Sequence, residues 1–96
     1  MPRGIKKPEG MRSEIGTRLR STREELGIGQ TDFARTAGVK PNTYNQYENG
    51  ERLPDIISAI YICEAYNVTL DWIYRGDPSG LDPKFWSSLR KRIKQA

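Results

Sequence analysis

The sequence predicts an all-α fold, on three observations. Apolar residues recur three and four positions apart in successive short segments, and glycine or proline stands at most segment boundaries. Alternation of the β-strand kind extends nowhere beyond four residues. A chain of 96 residues, 35% of them hydrophobic and 29% charged, fits one compact domain with a modest core.

Residues 1–11 mix Pro2, Gly4, Pro8 and Gly10 with Arg3, Lys6 and Lys7, and are expected to form a flexible basic arm. From Ser13, the residues Ile15, Leu19, Thr22 and Leu26 share one helical face, and Gly27 supplies a left-handed stop. A second helix runs from Gln30 to Ala37, with Phe33, Ala34 and Ala37 as its apolar stripe and Gly38 closing it. Pro41 suits the first position of a third helix, which continues to Asn49 before Gly50.

Asp55 caps a fourth helix whose Ile56, Ile57, Ala59, Ile60, Ile62 and Cys63 mark it as the central core helix, expected to lie largely inside. Thr69 caps a short fifth helix with Leu70, Trp72 and Ile73 inward, ended by Gly76, Pro78 and Gly80. Asp82 and Pro83 open a sixth, which aligns Phe85, Trp86, Leu89 and Ile93 through to Gln95.

Composition narrows the chemistry. A single cysteine, Cys63, and no histidine leave neither an internal disulfide nor a soft-ligand set, so no metal and no cofactor are expected. The general acid/base most often used is missing and no nucleophile sits in a catalytic pattern, which argues against an enzyme. No apolar run approaches bilayer length, and residues 1–10 hold no apolar signal core, so a cytoplasmic protein without a membrane partner is expected. Sixteen Lys and Arg against twelve Asp and Glu give +4, which suits a polyanionic partner without requiring one.

The second and third helices, joined by a four-residue turn containing Gly38, describe a helix-turn-helix. Small Ala34 lets the two approach, and Val39 fills the wedge between them. Asn42, Asn45, Gln46 and Asn49 recur at i, i+3, i+4 and i+7, so a stripe of amides faces outward while Tyr44 and Tyr47 turn toward the core. Asn and Gln pair bidentately with adenine in the major groove, so this stripe is a candidate base-reading surface with Gln46 at its centre.

Over roughly Ile15 to Gly76 the chain resembles the XRE family of Cro and phage-repressor regulators. The stretch GQTDFARTAGVKPNTYNQYENGERLP carries the resemblance, with VTLDWIYRGDP similar to the family's closing helix. The resemblance implies a five-helix phage-repressor-like DNA-binding domain, to which the sixth, amphipathic helix is an addition. It places Pro41, Asn42, Thr43, Asn45 and Gln46 on the recognition helix, and Gln30 at the amino end of helix 2. It also pairs Arg23 with Glu48 as a structural link between helix 1 and the end of helix 3.

Pro41, Asn42, Asn45 and Gln46 are thus expected to contact bases, and Gln30, Lys40, Thr43, Asn49, Arg52 and Arg18 the DNA backbone. Lys40 replaces the Ser or Thr cap usual in the family, and Arg18 is chosen on helix geometry alone.

The domain reading is an arm over 1–11, a DNA-binding domain over 12–77 and a helical extension over 78–96. Regulators of this kind gain specificity as homodimers on two half-sites. In the extension, Phe85, Trp86, Leu89 and Ile93 either contact a second copy or cap their own core. The partner expected is double-stranded DNA, with no small-molecule effector evident. The competing reading is a protein-interaction module such as the antitoxin of a toxin pair.

Overall fold

A computed structural model describes residues 8–95, and the arm residues Arg3, Lys6 and Lys7 lie outside it. Six helices follow one another: α1 (Pro8–Leu26), α2 (Gln30–Thr36), α3 (Pro41–Glu48), α4 (Ile56–Tyr66), α5 (Asp71–Arg75) and α6 (Pro83–Gln95). The fold is all-α, as the periodicity predicts. The two predicted caps form, Asp55 accepting from the Ser58 amide at 2.8 Å and Thr69 from Trp72 at 2.9 Å, and Asp82 at the sixth helix start accepts from Phe85 at 3.0 Å. Each satisfies an amide hydrogen that a helix start leaves without a partner.

Helix α1 begins five residues earlier than the sequence suggests, so the arm expected over residues 1–11 gives way to helix at Pro8. Proline costs nothing at a first helical position, and Met11 packs against the core, which offsets Gly10. The turn between α2 and α3 closes through Val39 N–H on the Ala34 carbonyl at 2.9 Å, with Gly38 at φ +77°. Only glycine takes that left-handed conformation at no steric cost.

The core gathers Ile15 and Leu19 of α1, Phe33 and Ala34 of α2, Tyr44 and Tyr47 of α3, Ile62, Trp72, Ile73 and Leu89. Phe33 stacks on Tyr66 at 4.0 Å, and Trp72 meets Trp86 edge-on at 5.5 Å. The Trp72 indole N–H donates to the buried Thr22 hydroxyl at 3.0 Å, which keeps a polar group inside without loss.

This packing corrects one expectation and favours one of two alternatives. α4 is not a wholly buried helix: Ala59 and Ile62 are buried, but Ile56 and Ile57 are 52% and 55% exposed. The centre of the fold is α1 instead, packed against α3, α5 and α6. Nor does α6 hold its apolar stripe free for a second chain. Leu89 is fully buried, and Phe85, Trp86 and Ile93 lie half-buried against the same core.

Leu89→Ala is therefore expected to lower the unfolding free energy by about 2–5 kcal/mol, as for other fully buried leucines. A thermal melt checks this, and an unchanged transition would return the α6 stripe to intermolecular use.

Candidate nucleic-acid interface

Helix α3 carries the outward amides, and its position is fixed from behind by one carboxylate. Glu48, at the last turn of α3, has a side chain with 0% exposure. Arg23 of α1 grips it with two bonds, Nε to Oε2 at 2.7 Å and Nη2 to Oε1 at 3.1 Å, while its Nη1 donates to the Ile28 carbonyl at 2.9 Å. Gln30, at the start of α2, donates to Oε1 at 2.8 Å, and Arg20 approaches the same oxygen at 3.4 Å. A buried charge is tolerated when it is paired and its lone pairs are filled, and these donors fill them. Burial alone would raise the Glu48 carboxyl, but the bonds from Arg23 and Gln30, with the Tyr44 hydroxyl alongside, hold it below the usual carboxylate range.

Tyr44 is the neighbour left imperfectly served. Its ring is buried between Phe33, at 5.0 Å, and Tyr47, and its hydroxyl lies beside Glu48 without a well-formed hydrogen bond among the described residues. Burial, then the adjacent carboxylate, push that hydroxyl well above the ordinary phenol range.

From Glu48 the bonding continues outward. Gln30 Oε1 accepts from Asn45 Nδ2 at 2.9 Å, and Asn45 Oδ1 accepts from Asn49 Nδ2 at 3.0 Å. The Gln30 side chain is thus a brace between two helices, which leaves the backbone amide end of α2 as the part of Gln30 expected to face phosphate. Asn45 keeps only half of its hydrogen-bonding capacity for a ligand. Gln46 lies beside it, half-buried, its side-chain oxygen accepting from the exposed Arg52 guanidinium at 3.4 Å. Asn42, Asn49 and Lys40 are exposed, and Pro41 and Thr43 half-exposed, around the amino end and outer face of the same helix. Lys40 flanks α3 without a side-chain cap, as the sequence indicates.

Arg18 is not part of this surface. Its Nε and Nη2 donate to the Ile73 and Tyr74 carbonyls at 3.1 and 3.2 Å, filling acceptors at the end of α5. That helix has π geometry, with Gly76 at φ +74° closing it against the Arg18 guanidinium. At about 100° per residue, Arg18 falls on the side of α1 away from Arg12, Gly16, Arg20 and Arg23. The expected phosphate contact is accordingly withdrawn.

The stripe opposite Arg18 contains residues that the sequence reading overlooked. A Cβ on Gly16 would lie 2.5 and 2.6 Å from the Tyr47 and Glu48 carbonyl oxygens, so α1 crosses the end of α3 at backbone contact. Arg12 Nε reaches the Gly50 carbonyl at 3.3 Å, just past the end of α3. The signal was available in the spacing, because Arg12, Gly16, Arg20 and Arg23 follow at steps of four, four and three.

A short helix seated in front of another across a glycine turn, its outer face lined with amides and its inner face pinned by a buried ion pair, defines a helix-turn-helix DNA-binding domain. The chain belongs to the helix-turn-helix family of the XRE type, whose model matches residues 19–73. It is 31% identical over 85 residues to an uncharacterized transcriptional regulator in the ATPase CF(0) region of Rhodospirillum rubrum, covering 82% of this chain and 79% of that protein. It is 29% identical over 63 residues to the HTH-type transcriptional regulator ImmR of Bacillus subtilis, covering 66% of this chain and 50% of ImmR. It is 33% identical over 55 residues to the antitoxin PezA of Streptococcus pneumoniae, covering 57% of this chain and 35% of PezA. No solved structure matches at a significant level. The chain is a DNA-binding transcription regulator. Among the described residues no helix is long and apolar enough to cross a membrane.

Two outcomes test the anchor. Gly16→Ala should force α1 and α3 apart and cost about 1–3 kcal/mol in a denaturant titration, where a wild-type midpoint would disprove the close crossing. Glu48 has a native carboxyl held below its unfolded value, so its contribution to stability is full above the unfolded value and is lost as pH falls through the native one. Glu48→Gln should destabilise by about 3 kcal/mol at neutral pH, because Arg23 loses its partner. The same variant should show a shallower loss of melting temperature than wild type below about pH 5, and parallel acid profiles would remove Glu48 from that account.

Proposed function

We propose that the chain reads a specific operator in double-stranded DNA by laying α3 in the major groove. On this reading it binds as a dimer on a palindromic site and acts as a repressor of the phage or prophage kind in the cytoplasm. The observation that carries this is the side-chain relay from Arg23 through Glu48 and Gln30 to Asn45, which ties the amide face of α3 to α1 and α2. Base discrimination depends on donors and acceptors held in place before binding, since each side chain ordered on contact gives back part of the affinity.

Gln46 is the leading base reader, because it stands at the centre of the amide face and is anchored less than its neighbours Asn45 and Asn49, with Asn42 and Pro41 ahead of it on the helix. Asn45 reads with its remaining lone pair and N–H while bracing Gln30. Lys40, Thr43, Asn49 and Arg52 meet the phosphates on either side, where charge and hydroxyls fix register without reading sequence.

Selection from random duplexes should recover an inverted repeat with half-sites about one helical turn apart. Against that site, Gln46→Ala should relax preference at one base pair by about 1–3 kcal/mol. Arg52→Ala should weaken binding to every sequence and flatten the salt dependence by about one counterion. Equal losses from both changes on all DNA would defeat the division of labour, and a featureless selected pool would defeat the operator reading.

The likeness to PezA, named as an antitoxin, favours one second reading, in which the DNA-binding chain also restrains a partner protein. Co-expression with the product of the adjoining gene distinguishes the two, since relief of that product's toxicity belongs only to the second.

A further inference from the structure

Helix α6 carries five of the sixteen Lys and Arg of the chain and none of its twelve Asp and Glu. Its +5 exceeds the +4 of the whole chain. Residues 8–82, which hold the helix-turn-helix, contain eight basic and twelve acidic residues, a net charge of −4. Half of those eight cations are already engaged: Arg18 on the carbonyls that close α5, Arg12 on the Gly50 carbonyl, and Arg20 and Arg23 on Glu48. The clustered positive charge that marks a polyanionic partner thus lies on the added helix rather than on the helices that read the groove.

The stability of α6 does not account for this charge. Cations are favoured in the last turn of a helix, beside its free carbonyls, but Lys84 stands in the first turn, where that sign is disfavoured. Arg92 bonds Glu25 of α1 at 2.9 Å. Lys84, Arg90 and Lys91 are exposed and have no ion-pair partner among the described residues. At about 100° per residue, Lys84 and Lys91 fall within about 20° of each other on the side of α6 away from Leu89, with exposed Ser87 and Ser88 flanking them and Arg90 at the edge.

We propose that this face, Lys84, Ser87, Ser88, Arg90 and Lys91, is a second DNA site, which holds the phosphate backbone of a duplex other than the one that α3 reads. It goes beyond the operator reading above and does not depend on which sequence α3 selects. Chemistry and position choose the occupant.

Ammonium, guanidinium and hydroxyl groups are those that hold phosphate without reading sequence. An acidic protein would need an aromatic or apolar anchor to bury, and this face offers none. An anionic lipid surface would need an apolar side free to insert, whereas Phe85, Trp86, Leu89 and Ile93 are packed on the core of the chain itself.

Glu25, the residue that Arg92 holds, falls within about 20° of Arg18, on the side of α1 turned away from Gly16, Arg23 and α3. α3 therefore presents its amides on one side of the molecule and α6 its cations on the other. The molecule is 24 Å across in its shortest direction, about three times the Debye length of about 8 Å at physiological salt. The α6 cations are thus screened from phosphates at α3, and duplexes on the two faces do not repel each other. A chain fixed on one segment through α3 holds another through α6. A segment of the same DNA molecule is present at high effective concentration, so a weak contact suffices to link the two.

The test is a sandwich with the full chain. A duplex carrying the selected operator is immobilised and saturated with protein, unbound chain is washed away, and a labelled mixed-sequence duplex is added. Wild type should retain the second duplex, with log affinity falling against log salt at a slope of about −2.7 for three phosphate contacts. The triple variant Lys84→Gln, Arg90→Gln, Lys91→Gln should keep the wild-type melting temperature and operator affinity while retention falls about 10-fold or more. A folded variant with unchanged retention overturns the proposal, as does a wild type that retains nothing. A variant whose operator binding falls in step with retention also overturns it, since α6 would then lie on the operator duplex. Polyglutamate should displace the second duplex only weakly, and displacement equal to that by DNA, charge for charge, would replace the duplex with an acidic protein. Should selection recover no operator, that reading fails by itself, and retention between two mixed-sequence duplexes decides the α6 site through the same variant.

Discussion

A carboxylate with no exposed side-chain surface sits at the end of the helix on which the function depends. Removing Glu48 from water costs several kcal/mol, and the two-pronged bond from Arg23 repays that cost without leaving a large surplus. Its value lies in geometry. One carboxylate receives donors from α1, from the start of α2 and, through Gln30, from α3 itself, so the three helices that frame the reading surface share a common point. Apolar packing of Ile15, Phe33 and Tyr44 holds the same helices together, but it tolerates small slides that directed hydrogen bonds do not.

The close crossing of α1 over α3 belongs to the same constraint. Gly16 lets the backbone of α1 reach the carbonyl oxygens of Tyr47 and Glu48, which brings Arg20 and Arg23 close enough to grip the carboxylate. A side chain at position 16 would lift α1 and lengthen both bonds together. The anchoring also separates the amides of α3 by role. Asn49 is bonded to Asn45 and Asn45 to Gln30, which keeps the face rigid, while the Gln46 side chain stands beside them with a long contact to Arg52. A rigid frame with one freer amide at its centre is suited to reading a base edge at small entropic cost.

The helices were legible in the sequence because caps and stops are local chemistry. Asp55, Thr69 and Asp82 each bond an amide within the next three residues, and Gly38 turns where a positive φ is needed. What was not legible depends on distant partners. Arg18 and Arg23 are five residues apart on one helix and equally basic, yet one caps carbonyls of α5 and the other holds Glu48, a difference set by what lies on each side of α1. The spacing of Ile56, Ile57, Ile60 and Ile62 makes α4 rich in apolar residues but does not state that one side would remain uncovered. Nothing local to Gly16 announces the carbonyl oxygens of Tyr47 and Glu48 that lie opposite it. Cys63 illustrates the easier case: burial, with Glu64 adding to it, pushes its thiol up to about 11, as befits a packing residue without reactive thiolate.

The uncovered face of α4 and the covered face of α6 have a common cause in how α1 divides its circumference. Its core side takes Ile15, Leu19 and Thr22, its front carries Gly16 and the arginines against α3, and its back receives α5 through Arg18 and α6 through Glu25. With the back filled by the added helix, Leu89 of α6 is buried in the core and Phe85, Trp86 and Ile93 pack half-buried against it. Among the described residues, the large hydrophobic side chains left most exposed, Ile56, Ile57 and Tyr61, lie on α4, which follows the reading helix. Burial of α6 therefore does more than stabilise a small domain. By occupying the back of α1, it leaves the front of that helix to α3 and the reading surface.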